Sequence, residues 1–180
     1  MALEHTPGAP RARDETAEDA AIARIVSRLS SEYVLRALQL LVDAYGDIRT
    51  GIIAQTIVTA NTAHLDTRTG EGWRYAAIED TPPDEVRKPI SIARLAESLD
   101  LPFETTRRHV QRLTDAGLCL RVEGGLIVPR SVLEEPGAIR AALANVRYVR
   151  KFVRDLQAAG LDAGVHPEPH ETPARRSAAG

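Results

Sequence analysis

Residues 90–128 read ISIARLAESLDLPFETTRRHVQRLTDAGLCLRVEGGLIV, and the fold turns on how this stretch is parsed. Ile92, Leu95, Ala96 and Leu99 fall on one face of a first short helix. Thr106, Val110 and Leu113 do the same on a second, with Leu101 plugging the turn between them. The turn at Asp100 calls for a left-handed backbone, which Asp tolerates better than most non-glycine residues. Gly117 stops the second helix and Leu118 packs back against it. Two strands are expected next, Leu118 to Val122 and Leu126 to Val128, joined through Glu123-Gly124-Gly125.

Helix, turn, helix and β-ribbon is the order of a winged helix-turn-helix. The stretch ARLAESLDLPFETTRRHVQRLTDAGL resembles the DNA-binding domain of MarR-like and GntR-like bacterial transcriptional regulators in its Leu-Ala pair, its Thr before a buried position, its Arg-Arg and its closing Gly-Leu. The likeness covers roughly a quarter of the chain. It implies a mainly α fold with a small β-wing, the winged helix-turn-helix at 90–130 being flanked by N- and C-terminal helices. Two residues depart from the pattern. Pro102 stands where Ser or Thr usually caps the reading helix, and Thr106 replaces an aliphatic residue on its buried face. Pro still starts a helix, because its missing N–H would have been unpaired there. Glu104 adds first-turn negative charge, which the helix dipole favours.

With Thr106, Val110 and Leu113 inward, Phe103, Glu104, Thr105, Arg107, Arg108 and Gln111 face out. These types suit a major groove: Arg takes guanine O6 and N7 together, Gln takes adenine N6 and N7, and Glu accepts from cytosine N4. The resemblance places Phe103, Glu104, Thr105 and Arg107 at base edges. Arg108 and Arg112 are expected on phosphates, which position a protein without reading sequence. Arg121 on the wing and Gly124-Gly125 at its tip are expected at the backbone or minor groove. The plainer reading, an ordinary solvated basic face, loses because these cations coincide with the outward face of the second helix.

The formal net charge of the 180 residues is −2, so no bulk basicity announces nucleic acid. What counts is local charge. Between Lys88 and Arg130 seven cationic side chains oppose five acidic ones, a local balance of +2. A single cysteine excludes an internal disulfide framework. The polar, acidic start from Met1 to Asp19 shows no signal peptide or lipidation motif, and there is no long apolar run. A soluble cytoplasmic protein without membrane partners is therefore expected.

Outside the central stretch, 1–16 reads as a disordered arm and 17–66 as an N-terminal helical dimerisation region. Ile22, Ile25, Val26 and Leu29 mark one face there, and Ser30-Ser31 either cap a new helix or lie within a long one. From Glu32 to Tyr45 only Glu32, Arg36, Gln39 and Asp43 are polar, and their spacing makes one narrow stripe. A helix so apolar needs cover on more than one side. Either it is the central core helix or part of it lies in a dimer interface. Gly46 ends it and Asp47 can cap the next. Ile48 to about Asp66 is rich in β-branched residues, which favours a strand, yet its length and the Asp47 cap favour a helix. Asn61 and His64 on it are read as hydrogen-bonded structural residues.

Residues 67–89 form a linker carrying Trp73-Arg74-Tyr75, read as a loop pinned by one aromatic rather than as a strand or a lid. Pro129 to Pro136 is a second linker, and 137–160 a C-terminal dimerisation helix with Ile139, Leu143, Val146, Val153 and Leu156 along one side. Residues 161–180 read as a disordered tail. One winged helix reads too few base pairs to be selective, so a homodimer on a pseudo-palindrome of double-stranded DNA is expected. Leu38, Leu41, Leu143, Val146, Val149, Val153 and Leu156 are its candidate interface. A small-molecule effector of unidentified chemistry is compatible with this plan.

No Gly-rich phosphate loop, nucleophile elbow or HExxH motif occurs, so neither catalysis nor a cofactor is expected. In the tail, His166, Glu168, His170 and Glu171 lie close in sequence, but a Pro-rich segment is a poor metal cage because ordering it costs entropy. Cys119 reads as a small buried hydrophobe rather than a redox sensor. The competing function is a protein-interaction module using the same face without direct DNA binding, a reading that the overall acidity and Glu104 keep open.

Overall fold

The computed structural model describes residues 13–65, 74–75, 77–78 and 80–161, with side chains from residue 20 onward. In chain order the elements are α1 (Arg13–Tyr45), α2 (Ile48–Thr62), a 3-10 turn (Asp84–Val86), α3 (Ile92–Ser98), α4 (Phe103–Asp115), β1 (Leu120–Val122), β2 (Gly125–Ile127), α5 (Arg130–Leu133) and α6 (Pro136–Ala158). The described chain is thus mainly helical, with one small antiparallel sheet. It divides into two compact units, Ser31–Arg150 and a second made from Met1–Ser30 with Lys151–Gly180. Trp73 and the histidine-rich tail lie outside the described residues.

Helix α2 is the spine of the larger unit. Asp47 caps it, its carboxylate accepting the Thr50 N–H at 3.0 Å. The preceding Gly46 ends α1 with φ +80. The β-branched run nonetheless forms a helix: Asp47 caps it, and the strand propensity it overrides is itself mostly a preference for burial, which the helix meets at Ile53, Ala54 and Ile57. Ile53, Ala54 and Ile57 are fully buried and join Leu95 of α3, Val110 and Leu113 of α4, and Cys119, Leu126 and Val128 of the hairpin in one core. The later part of the 17–66 region therefore shares its core with the 90–130 segment. A face as apolar as that of α2 has to be covered, and α3, α4 and the hairpin cover it. Gly51 lets α1 approach: a Cβ there would sit 2.7 Å from the Leu41 Cβ.

The buried polar group that the sequence flagged, Asn61, closes this core. Its amide donates to the carbonyls of Lys88 (2.8 Å) and Leu126 (3.0 Å), and its Oδ1 accepts from the Val128 N–H at 3.0 Å. One side chain thus joins α2 to both segments of the hairpin region. His64, read in the same way, is instead exposed.

Three helix ends share one geometry. At Asp100 (φ +49), Gly117 (φ +73) and Gly160 (φ +84) the following N–H reaches back five residues, Leu101 to Ala96, Leu118 to Leu113 and Leu161 to Leu156. This is the Schellman motif, and it satisfies carbonyls that the helix leaves open. Pro102 makes no side-chain cap on α4, as its chemistry requires. Thr106 is fully buried, its hydroxyl satisfied by the Pro102 carbonyl at 3.3 Å, which is why a polar residue is tolerated on the inward face.

Four boundaries differ from the sequence expectation. The first helix begins at Arg13, inside the arm assigned to 1–16, and runs unbroken through Ser30-Ser31. α2 stops at Thr62 rather than near Asp66. The strands are shorter, Val122 pairing with Gly125 across Glu123-Gly124, and Ile90 adds an antiparallel bridge to Leu126. The linker 129–136 contains the one-turn helix α5, started by the Asp84 carboxylate accepting the Arg130 N–H at 2.6 Å. No periodicity is visible in four residues, and the cap comes from 46 residues away.

In the larger unit α1 meets α6 through Tyr33, whose hydroxyl donates to Asn145 Oδ1 at 3.4 Å, and through the Arg36 guanidinium 5.6 Å from the Tyr148 ring centre. The polar stripe of α1 is present as Arg36–Glu32 (3.2 Å) and Gln39–Asp43 (2.7 Å) pairs. In the smaller unit Leu29 is buried and Lys151 pairs with Asp155.

Replacing Asn61 by Leu removes three hydrogen bonds made by a fully buried side chain while roughly keeping volume. Because the Val128 N–H is left without a partner, the loss should be at least ~2 kcal/mol of unfolding free energy. Urea denaturation measures it, and a change below ~0.5 kcal/mol would show that the hairpin does not depend on this residue.

Candidate functional site

The outward face of α4 carries Phe103, Glu104, Arg107, Arg108, Gln111 and Arg112, all exposed, with Thr105 half-buried at its edge. Arg121 and Gly124 of the hairpin are also exposed. Gly125 is different. It is half-buried at φ +146, and a Cβ on it would come within 2.4 Å of the Ile90 carbonyl oxygen. That close approach is by itself a reason for glycine there. Between the start of α3, the start of α4 and the hairpin lies an open cleft of about 450 Å³, lined in part by Ser91, Phe103, Arg121, Val122 and Leu126.

The cations on this face are partnered, a feature that residue type alone does not reveal. Both oxygens of Glu104 engage Arg107, Oε2 accepting from Nε at 2.8 Å and Oε1 from Nη2 at 2.7 Å. Arg108 Nε lies 3.9 Å from the same carboxylate. Hydrogen bonding from Arg107 holds the Glu104 carboxyl below the usual carboxylate range, and the same bond raises the Arg107 guanidinium. Gln111 donates to Asp115 at 2.7 Å, and Arg112 Nη1 stands 3.8 Å from Asp47 Oδ2.

His109, on the same helix, was not among the sequence candidates. It is buried, three residues after Thr106 and beside Val110, so the helical period was the signal that could have found it. Its Nδ1 lies 2.8 Å from the Thr50 hydroxyl, and that hydroxyl donates to Asp47 Oδ2. With the hydroxyl proton directed at Asp47, Nδ1 carries a hydrogen and donates to the Thr50 oxygen. Burial pushes the imidazole pKa down, Asp47 opposes this, and Arg112, Arg49 and Arg108 reinforce it. Hydrogen bonds from Thr50 hold Asp47 below its ordinary value.

Cys119 is fully buried, and burial pushes its thiol up to about 11, outweighing the nearby Arg121. The thiolate needed for redox chemistry is therefore disfavoured. Among the described residues no group of His, Cys, Asp and Glu could hold a metal ion, and no described helix is long and apolar enough to cross a membrane.

Of the interface candidates, Leu143, Val146 and Val149 on α6 are exposed, together with Val34 and Leu35 (48 % and 67 %) on α1. Leu38, Val153 and Leu156 are half-buried. Leu41 is half-buried too and backs onto Gly51 within the chain. Comparisons with protein-family models, with curated proteins and with solved structures found no match to this chain.

The His109 environment sets a pH dependence whose sign is fixed. A histidine with its folded pKa below the ordinary ~6.5 binds fewer protons folded than unfolded. Its contribution is intact above that value and is lost as pH falls towards the folded pKa. Urea denaturation between pH 7.5 and 5, above the Asp47 range, should show stability falling towards acid, and His109→Gln should flatten the slope. An identical slope in both proteins would place the titration elsewhere.

Proposed function

We propose that this chain is a sequence-specific DNA-binding transcriptional regulator of winged helix-turn-helix type, acting as a homodimer on a pseudo-palindromic site. The observation that carries the reading is the single outward face of α4, where Arg107, Arg108, Gln111 and Arg112 stand exposed, with Arg121 exposed on the hairpin that shares a cleft with Phe103. Its mechanism is groove docking: the first turns of α4 enter the major groove and Arg107 meets a base edge. Arg108 and Arg112 lie along phosphates, while Arg121 and Gly124 approach the flanking backbone. The local excess of positive charge supplies the salt-dependent part of binding, and it does so although the whole chain is slightly acidic.

Homodimerisation is supported by Val34, Leu35, Leu143, Val146 and Val149, large apolar side chains exposed on α1 and α6. Exposed apolar side chains on two helices that touch each other are the material from which an association surface is made. A second reading rests on Phe103 (53 % exposed), Leu120 and Val122, apolar groups exposed on α4 and β1. They favour a protein-interaction module that does not bind DNA directly.

Selection of bound duplexes from random DNA tests the first reading against the second. Arg107→Ala should erase preference at one position of each half-site, a loss of roughly 5- to 150-fold in discrimination. Arg112→Ala should weaken all sequences alike and lower the salt slope by about one. If the unmodified protein selects no sequence and shows no salt-dependent mobility shift, the protein-interaction reading takes over.

Val146→Glu with Val149→Glu should leave the fold intact, because both positions are exposed in the single chain, while giving monomers in sedimentation. An unmodified protein that is monomeric at tens of micromolar, about where weak dimers still form, would refute the dimer.

A further inference from the structure

The Glu104–Arg107 pair has a stereochemical consequence. A guanidinium carries five N–H groups in a rigid plane and offers more than one two-pronged edge. Glu104 occupies the side edge, Nε and Nη2, with one carboxylate oxygen on each, at 2.8 and 2.7 Å. The end edge, formed by Nη1 and the second hydrogen of Nη2, is left open by this arrangement. That end edge is a two-pronged donor of the kind that pairs with O6 and N7 of guanine.

We propose that Glu104 is a positioning residue that sets the specificity of Arg107, gripping its guanidinium by the side edge so that the end fork is presented to a guanine. The inference rests on the DNA-binding reading above. Glu104 then reads no base itself, unlike the cytosine contact its residue type suggests, because both of its oxygens are directed at Arg107 and Arg108 stands 3.9 Å from one of them. A long side chain fixed before docking loses less rotamer freedom on binding, so the guanine contact is strengthened without any added protein–DNA bond. The pair is exposed on both sides and lies on the surface of a 13-residue helix, so it contributes little to folding and can be altered cleanly.

Sequence selection with the full chain and the variants Glu104→Ala, Glu104→Gln, Arg107→Ala and the Glu104→Ala/Arg107→Ala double variant decides the matter. Glu104→Ala should reduce guanine preference about 3-fold or more, at the same position that Arg107→Ala erases and at no other. Glu104→Gln keeps one acceptor oxygen and should restore part of that preference. The double variant should match Arg107→Ala alone, because residues acting as a unit are not additive. Relaxation at a different position, or losses that multiply in the double variant, would mean that Glu104 reads its own base and would overturn the proposal. So would an unchanged preference with uniformly tighter binding, the signature of simple phosphate repulsion. A native protein that selects no sequence at all overturns the DNA-binding reading as well. The two failures are therefore told apart by the unmodified chain.

Discussion

The larger unit depends on one face of α2 being held at both ends by polar contacts and filled between them by apolar ones. Thr50, Ile53, Ala54, Ile57 and Asn61 lie along that face and are all buried. Thr50 meets His109 of α4, and Asn61 meets Lys88, Leu126 and Val128 around the hairpin. Hydrophobic burial between these points drives collapse but is non-directional. The two polar contacts supply direction: each leaves a buried group unpaired if α4 or the hairpin shifts by one position. Register between α2 and the segment that carries the candidate site is thereby fixed at Thr50 and Asn61, about three helical turns apart.

This arrangement explains what could be read in the sequence. The α3–turn–α4 segment was legible because its signals are local: apolar spacing, a positive φ at Asp100, and Gly117 followed by Leu118. Asp47 as a cap and Gly46 as a stop were legible for the same reason. The fusion of α2 with that segment into one core was not. It is a long-range packing choice between Ile53, Ile57, Val110 and Leu126, and nothing in the 15 residues of α2 names the partner. α5 escaped notice because its cap, Asp84, lies in a stretch that reads as linker. The role of Asn61 could be guessed in kind, a buried amide with partners, but its three partners come from segments 27 to 67 residues away.

The candidate site shows the same division. Which residues of α4 face outward follows from the helical period, and the structure places them so. The period cannot tell a solvated cation from one already held by a carboxylate. Glu104 engages Arg107, Asp115 holds Gln111, and Asp47 stands near Arg112. Two of these pairs are spaced three and four residues apart, the helix-neighbour distances at which opposite groups meet, so they were accessible in principle. Arg112 with Asp47 was not, because it crosses from α4 to the cap of α2.

Partnered cations alter how such a face would act. Free arginines attract phosphate without regard to sequence, whereas an arginine tied to a neighbouring carboxylate contributes little net field beyond a Debye length of about 8–10 Å. A face built from such pairs is a weak general attractor, in keeping with a local charge balance of only +2 between Lys88 and Arg130. Any selectivity must then come from short-range fit, where the orientation of each guanidinium matters more than its charge. Orientation on α4 is in turn inherited from α2, since Thr50 holds His109 two residues from Arg107 and Asp47 faces Arg112. The polar contacts that fix the core therefore also fix the direction in which the exposed face points, and a change at Thr50 would reach that face through buried His109 rather than through any residue on it.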